Sequence, residues 1–488
     1  MSINGWGILE VKTNIKSSAN DLERAFGAGM AEGYLTSLQI SMTYNNTINL
    51  TATGLWNYVD GPPSNLQTFI NQQNSYMNEM IKANPNNPFW IYANIIQQQL
   101  LGLQYGYNLT ALKNNIPQYN DIWPFLYLNL IGDLLDLENA LNPSKRINYN
   151  DYTPQEYLKL RLKRGRCSAL VKITPEIDNL FIGHSSWFVF QNMYRIFKHY
   201  IFNFELKTAT KHMMFSSYPG YLESLDDFYI MDSGLAMLQT TNSVPNSTLY
   251  DLVTPQSLYA FQRVRIANAL AHNGPEWFKY ISNNNSGTYN NQYMIINYGI
   301  FEPNQPLKDN FLWVIEQIPG FVDGQDFTGV LERGYFASYN VPALESVYNK
   351  SGYPELVKSK GVVNSYDLAP RARIFRRDSN SVTDLESYTK LMRYNNYKED
   401  PIENNDPVWA ICARGDLEST DASPFGAYDT KASNLSMILN MQAITMNSPT
   451  YDDLPPFDWN DWPEYKNYHE GIPDKMDFPW VMQQSILA

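Results

Sequence analysis

Cys167 and Cys412 are the only cysteines among 488 residues, and Cys167 stands where a thiol can do chemistry. It opens the run Cys167-Ser168-Ala169-Leu170-Val171-Lys172-Ile173, directly behind residues 159–166, a stretch with five basic residues in eight. The thiolate is the reactive form of cysteine, and nearby Lys and Arg charges favour it. Were the Arg166–Cys167 bond cut, Cys167 would also carry a free α-amine. An α-amine titrates at about 7.7–8.0 and can take a proton from its own side chain, so one residue would supply both nucleophile and base. The alternative is a buried strand cysteine beside a solvated basic loop.

Other chemistries lack their residues. Gly183-His184-Ser185-Ser186-Trp187 misses the closing glycine of a Gly-x-Ser-x-Gly elbow. Neither a phosphate-binding Gly-Lys loop nor a dinucleotide fingerprint occurs. The five histidines, His184, His199, His212, His272 and His469, contain no His-x-x-x-His pair. Asp226-Asp227 is a weak candidate for a cation, since adjacent carboxylates usually stay solvated. No metal or cofactor is expected. Two cysteines cannot form a disulfide framework either; they pair once, or at least one is kept as a thiol.

The elements that would position Cys167 follow from pattern. The capping-box form of Asn20-Asp21-Leu22-Glu23, with Leu22, Phe26, Met30 and Tyr34 at helical spacing, predicts a first helix. A second is expected over 64–80, a third with Pro88 at its first position, and a fourth capped by Asp121. After Asn142-Pro143-Ser144 the composition shifts. There the pattern predicts a strand over 167–173, a turn at 175–178, a return strand over 179–183, and a long aromatic helix over 187–202. Further strands are expected at 228–230, 236–241, 292–298 and 312–318. Between them a helix is predicted with Thr254 as its cap, Pro255 first, and Gly274 past its end. With no repeat or Pro/Gly/Ser linker, a helical N-terminal segment should pack onto a larger α+β body.

Composition narrows the partners. The chain is 44% apolar, 14% aromatic and 17% charged, which excludes intrinsic disorder, and its net charge of −13 argues against nucleic acid. Its most apolar stretch, 122–137, is interrupted by Asn129, Asp133 and Asp136 and falls short of the ~20 residues a membrane span needs. The start shows no signal-peptide pattern, which fits a cytosolic protein or a mature chain with an added Met. Seven Asn-x-Ser/Thr sites begin at Asn45, Asn49, Asn108, Asn246, Asn284, Asn349 and Asn434, about as many as chance provides in so Asn-rich a chain.

Longer blocks add a resemblance. The run from Cys167 to Lys172 and Gly183-His184-Ser185-Ser186-Trp187 resemble the phospholipase B-like family of N-terminal nucleophile (Ntn) hydrolases. So do Phe215-Ser216-Ser217-Tyr218-Pro219-Gly220, Ser224-Leu225-Asp226-Asp227-Phe228-Tyr229 and Asn285-Ser286-Gly287-Thr288-Tyr289-Asn290-Asn291-Gln292. The likeness continues through Ser338-Tyr339-Asn340-Val341-Pro342 and Pro370-Arg371-Ala372-Arg373-Ile374-Phe375, and spans nearly the whole chain.

The resemblance implies a four-layer αββα sandwich, with residues 1–166 as a mainly helical pro-segment packed on a catalytic body, 167–488. Cleavage between Arg166 and Cys167, autocatalytic or by an external trypsin-like protease, would expose the nucleophile, and the two fragments would remain associated. Family pocket residues fall on Cys167, His184, Trp187, Thr241, Asn340 and Arg371, with Thr240 and Arg373 as competitors on spacing for Thr241 and Arg371. Cys167 would be the nucleophile, Asn340 the oxyanion donor, Arg371 an anchor for the new terminus or the substrate, and Trp187 and Thr241 the substrate-binding wall. His184 is either catalytic or structural. Cys412 stands alone where relatives tend to have more cysteines, so a family disulfide is expected to be missing. The implied activity is hydrolysis of a lipid acyl ester or an amide, in a lysosomal or secreted setting, by a chain that can form a homodimer. A lipid-binding or scaffold protein without turnover is the competing function.

Overall fold

In the computed structural model, residues 3–48, 58–154, 156, 157, 160, 166–225 and 228–486 are described. Helix α1 (Asp21–Thr47) starts as its sequence dictates. Asn20 Oδ1 accepts from the backbone N–H groups of Leu22 and Glu23, both at 3.0 Å, while the Glu23 carboxylate accepts from Asn20 N at 2.8 Å. Helices α2 (Ser64–Ala83), α3 (Pro88–Ala111) and α4 (Trp123–Leu141) follow, the third with Pro88 first and Asn87 capping it. Asp121 does receive the start of α4, its Oδ1 accepting from Trp123 N at 2.7 Å. α1 and α3 touch backbone to backbone. A Cβ on Gly29 would lie 1.9 Å from Gln99 O, and one on Gly106 would lie 2.0 Å from Met30 O.

Sixteen strands follow among the described residues: β1 (Trp6–Lys12), β2 (Arg166–Ile173), β3 (Leu180–Val189), β4 (Arg195–Ile201), β5 (His212–Ser217), β6 (Phe228–Met231), β7 (Leu235–Thr241), β8 (Asn291–Asn297), β9 (Leu312–Ile318), β10 (Phe321–Asp326), β11 (Tyr335–Ser338), β12 (Phe425–Asn434), β13 (Ala443–Met446), β14 (Phe457–Asp458), β15 (Lys475–Met476) and β16 (Val481–Gln483). Eight of them form one sheet in the order β1-β4-β5-β6-β7-β8-β9-β10, and six form a second in the order β11-β2-β3-β12-β13-β16. Only β1 and β4 run parallel; every other neighbouring pair in these two sheets is antiparallel.

The two sheets face each other. Phe197, Met214, Phe228 and Leu238 of the larger sheet share one apolar core with Ala169, Val171, Ile182 and Phe336 of the smaller. On the outer face of the larger sheet, Met213, Phe215, Tyr293 and Ile295 pack against α5 (Ala260–Leu270) and α6 (Gly274–Ser282) through Val264, Ala267 and Trp277. On the outer face of the smaller, Leu170, Phe181 and Ala432 meet Ile374, Phe375 and Tyr388 from the helices Pro370–Asp378 and Leu385–Met392. The result is the expected αββα sandwich. Alternating strand residues supply the two apolar faces that each layer needs.

Two expectations fail. Residues 187–202 are not a helix: β3 runs to Val189, a short 3-10 turn covers Phe190–Asn192, and β4 begins at Arg195. β3 is buried along its whole length, so the polar alternation that marks a strand is missing. The helix expected from Thr254 to Gly274 is shorter, Ala260–Leu270, and Gly274 opens α6 instead of closing α5. Asn273 caps that next helix by accepting from Glu276 N at 2.9 Å.

Candidate active site

The β2–β3 hairpin turns over at 175–178 and fixes which side chains meet. It pairs Cys167 with Ser186 and Ala169 with His184. Ala169 and Val171 lie in the core between the sheets, and alternation puts Cys167, Ser186 and His184 on that face. Ser168 points the other way and donates to Ile411 O at 2.8 Å.

Arg371, in the first turn of the helix Pro370–Asp378, reaches across the outer face of the smaller sheet. Its Nη1 donates to Cys167 O at 2.5 Å and to Ser168 Oγ at 3.1 Å. Its Nη2 donates to Tyr339 O at 2.9 Å and to Asn340 Oδ1 at 2.6 Å. The guanidinium also lies 4.4 Å from the centre of the Trp187 ring. Arg373, the competitor on spacing, is exposed on the same helix.

Asn340 follows β11 with φ of 69°, a left-handed backbone that asparagine tolerates better than most residues. Its Nδ2 donates to Thr241 O at 2.7 Å, and Tyr353 OH donates to its carbonyl at 2.8 Å. The loop after it is held by Glu316, whose carboxylate accepts from Ala343 N at 2.8 Å, Leu344 N at 3.1 Å and Gln292 Nε2. Burial pushes the Glu316 carboxyl up to about 7. Thr240 and Thr241 separate clearly. Thr240 Oγ1 bonds Ser338 Oγ at 2.6 Å between the sheets, whereas Thr241 lines the space in front of Cys167.

That space is a cavity of about 40 Å³ walled by Cys167, Ser186, Trp187 and Thr241, and roofed by Ile131, Gly132 and Leu135 of α4. A second cavity of about 100 Å³ adjoins it, sharing Gly132, Leu135, Thr241 and Tyr289, and extends to Tyr149, Tyr157 and Pro245.

His184 stands behind this wall. Its Nε2 lies 2.7 Å from Gln239 O and its Nδ1 3.4 Å from Ser186 Oγ. A carbonyl only accepts, so the hydrogen-bond network assigns the proton to Nε2 and leaves Nδ1 to accept from Ser186. Lys431 donates to Ser186 Oγ and, at 2.6 Å, to Asp429 Oδ1, which Arg195 pairs from 3.2 Å on its other oxygen. Sequence reasoning missed Ser186, Lys431, Asp429 and Glu316 as parts of the site. Only Ser186 left a signal, because the hairpin register sets it opposite Cys167.

Cys167 and Cys412 form no disulfide. Cys412 is wholly buried beside Trp187, Val408 and Ala427, and burial pushes its thiol up to about 11, so it is an unreactive core residue. Among the described residues, no cluster of three or more His, Cys, Asp or Glu side chains is placed to hold a metal ion. Asp226, Asp227 and most of the basic run before Cys167 lie outside the described residues. No described helix is long and apolar enough to cross a membrane.

An αββα sandwich with a cysteine on the inner face of one sheet defines the class of fold and site. Comparison gives the family. The Phospholipase B profile matches residues 1–483, and the chain belongs to that family. Phospholipase B-like 1 of Rattus norvegicus is 43% identical over 491 residues, covering 99% of this chain and 86% of the relative. Phospholipase B of Crotalus adamanteus is 41% identical over 487 residues, covering 99% and 86%. Membership in this family makes the chain a hydrolase by class. Among solved structures, a mutant conjugated bile acid hydrolase from Clostridium perfringens aligns with a TM-score of 0.34 and 13% identity, over 58% of this chain and 89% of that one.

Proposed function

We propose that this chain hydrolyses acyl bonds, a lipid acyl ester or an amide, with Cys167 Sγ as nucleophile after the Arg166–Cys167 bond is cut. The observation that carries this reading is the Arg371 fork. One nitrogen holds the carbonyl of Cys167 and the other holds Asn340 Oδ1, so nucleophile and oxyanion donor share one clamp. Sγ attacks the substrate carbonyl carbon, the freed α-amine of Cys167 takes the thiol proton and passes it to the leaving group as its bond to the acyl carbon breaks, and water, deprotonated by the same amine, then hydrolyses the thioester and restores the thiol. Asn340 Nδ2 has two hydrogens. One goes to Thr241 O, and the other serves an oxyanion at about 2.7–3.1 Å. Trp187 and Thr241 wall the acyl group. Arg371 is a positioning residue for the Cys167 backbone, and His184 meets the site through Ser186.

On this reading, residues 1–166 and 167–488 stay together after cleavage, since α4 roofs the cavity and shares an apolar core with Phe188, Tyr218 and Tyr428 of the body. Autocatalytic cleavage would run through attack of Sγ on the Arg166 carbonyl carbon, breaking of the C–N bond as the proton passes to the departing Cys167 amine, and hydrolysis of the resulting thioester by water; a protease acting on the basic run is the other route. Work in a lysosomal or secreted setting, with glycans on some of the sequons, belongs to the same proposal. A second reading, lipid binding or scaffolding without turnover, is favoured by one observation: the cavity of about 40 Å³ in front of Cys167 has room for a few waters but not for a long acyl chain.

The test measures fatty-acid release from phosphatidylcholine vesicles and from N-acyl amides by wild type and Cys167→Ala. Loss of all release in Cys167→Ala is expected. Retained release overturns the nucleophile assignment. A wild type that releases from neither substrate leaves binding as the function.

A further inference from the structure

A pocket of about 200 Å³ opens beside β11, the outermost strand of the smaller sheet. It shares no wall residue with the two cavities near Cys167. Its walls are aromatic. Tyr335 belongs to β11, Tyr339 follows its end, Tyr366 comes from the turn before the helix Pro370–Asp378, and Phe375 comes from that helix. All four pack in the apolar layer on the outer face of this sheet. The Tyr339 and Tyr366 rings lie 5.5 Å apart at 34°, and Ala337 and Ala372 are too small to fill the space between the walls.

Charge selects the occupant. Arg333, in the turn ahead of β11, and Arg376, in the last turn of the helix Pro370–Asp378, both border the pocket and are exposed. Among the described residues, no hydrogen bond or ion pair engages the Arg333 side chain. Arg376 spends Nη2 on Asp367 O at 3.0 Å. Behind them stands Lys172, 3% exposed and in register with Tyr335, its Nζ 3.8 Å from where a Cβ on Gly334 would lie. That Nζ donates to Ile173 O at 2.5 Å, and burial pulls its pKa down. Asp367 is the one carboxylate among the described wall residues. In a chain whose Asp and Glu outnumber Lys and Arg by 49 to 36, the sign is locally reversed.

A guanidinium with unspent N–H groups is a fork for a planar oxyanion and pairs bidentately with a carboxylate. Apolar rings with a few convergent polar groups are the make-up of a small-molecule site. A phosphate dianion makes no use of ring walls, and Asp367 repels it more strongly than it repels a monoanion. We propose that this pocket binds a small aromatic carboxylate, its ring between the tyrosines and Phe375 and its carboxylate on Arg333 and Arg376. The site lies outside the catalytic cavity and does not depend on the catalytic proposal.

Saturation-transfer NMR titration of the full chain with hydrocinnamate tests it. Arg333→Gln and Arg376→Gln are the site variants, and Lys308→Gln, exposed in the loop before β9, is the control. Wild type and control should bind with a dissociation constant on the order of 1 mM or tighter. Each site variant loses a charge-assisted contact and should bind about 10-fold more weakly or worse, with unchanged circular dichroism. Hydrocinnamyl alcohol, the neutral analogue, and inorganic phosphate, the bare anion, should also bind about 10-fold more weakly or worse. Cys167→Ala should bind as wild type does. A wild type that does not bind hydrocinnamate overturns the inference, and so do site variants that keep wild-type affinity. Phosphate or the alcohol binding as tightly as hydrocinnamate refutes the ligand class. Loss of binding in Cys167→Ala puts the ligand in the catalytic cavity and overturns the site.

Discussion

Arg371→Lys isolates the geometry of the clamp from its charge. The guanidinium serves two groups of acceptors, Cys167 O with Ser168 Oγ and Tyr339 O with Asn340 Oδ1, through two separate nitrogens. A lysine has one nitrogen and reaches one group only. Two buried acceptors then lose their donor at about 1–3 kcal/mol each, a loss on the order of 3 kcal/mol after partial relaxation. For 488 residues at ~2.1 cal/mol/K per residue, this lowers the thermal midpoint by only about 3 °C. Activity should suffer far more, because an Asn340 amide free to rotate removes an oxyanion donor, costing about 10²–10³ in kcat. KM should move little. The assay is steady-state acyl release beside a melting curve, with Arg373→Lys, on the exposed side of the same helix, as control. An Arg371→Lys enzyme that keeps more than about a third of wild-type kcat would refute the clamp.

Further outcomes follow from burial and packing. Burial raises Asp133 to about 6, Glu316 to about 7 and Glu403 to about 8, so the fold prefers these carboxyls neutral. Their contribution is complete below their ordinary values near 4 and is lost as pH rises through 6–8; the buried His199 and the half-buried His212, both lowered, act oppositely as pH falls below 6.5. The thermal midpoint should therefore be higher at pH 6 than at pH 8, and Glu316→Gln should flatten that difference; an unchanged slope contradicts the Glu316 assignment. Gly106→Ala forces a Cβ onto Met30 O and should lower the midpoint by a few degrees or more, with α1 and α3 pushed apart, while Gly27→Ala, at a half-buried site with nothing within 4 Å of the new Cβ, should not. Equal midpoints for the two variants would show that the helix contact is looser than described.

Much of this architecture is written locally in the chain. The capping box at Asn20, Pro88 at the head of α3 and the β9 strand over 312–318 follow from short-range pattern, and β2 with its turn at 175–178 needs nothing more. The failures share a cause. β3 and β4 belong to different sheets and are buried on nearly every residue, so their aromatic runs lack period-2 polarity and read as one long helix. Gly274 read as the residue past a helix end; it opens the next helix instead, because the Asn273 side chain caps Glu276 N and Pro275 fits the first turn. In the site, Cys167 and its neighbours were visible as motif. The resemblance favoured Arg371 over Arg373 and Thr241 over Thr240; the burial of Arg371 against Cys167 and the place of Thr241 on the cavity wall are tertiary contacts that no spacing encodes. Glu316 left no local trace, because its partners lie in other strands and loops; Asp429 and Lys431 bond each other along β12, but the groups that tie them to the site, Arg195 and Ser186, lie in β4 and β3.

The central claim is that Cys167 works as a new N-terminus. Terminal sequencing and intact-mass analysis of active, purified protein, run beside Cys167→Ala, tests it most directly. Two associated pieces of roughly 19 and 37 kDa are expected, the larger beginning at Cys167, with no acyl release from Cys167→Ala. Full activity from an uncut 56.2 kDa chain would contradict it.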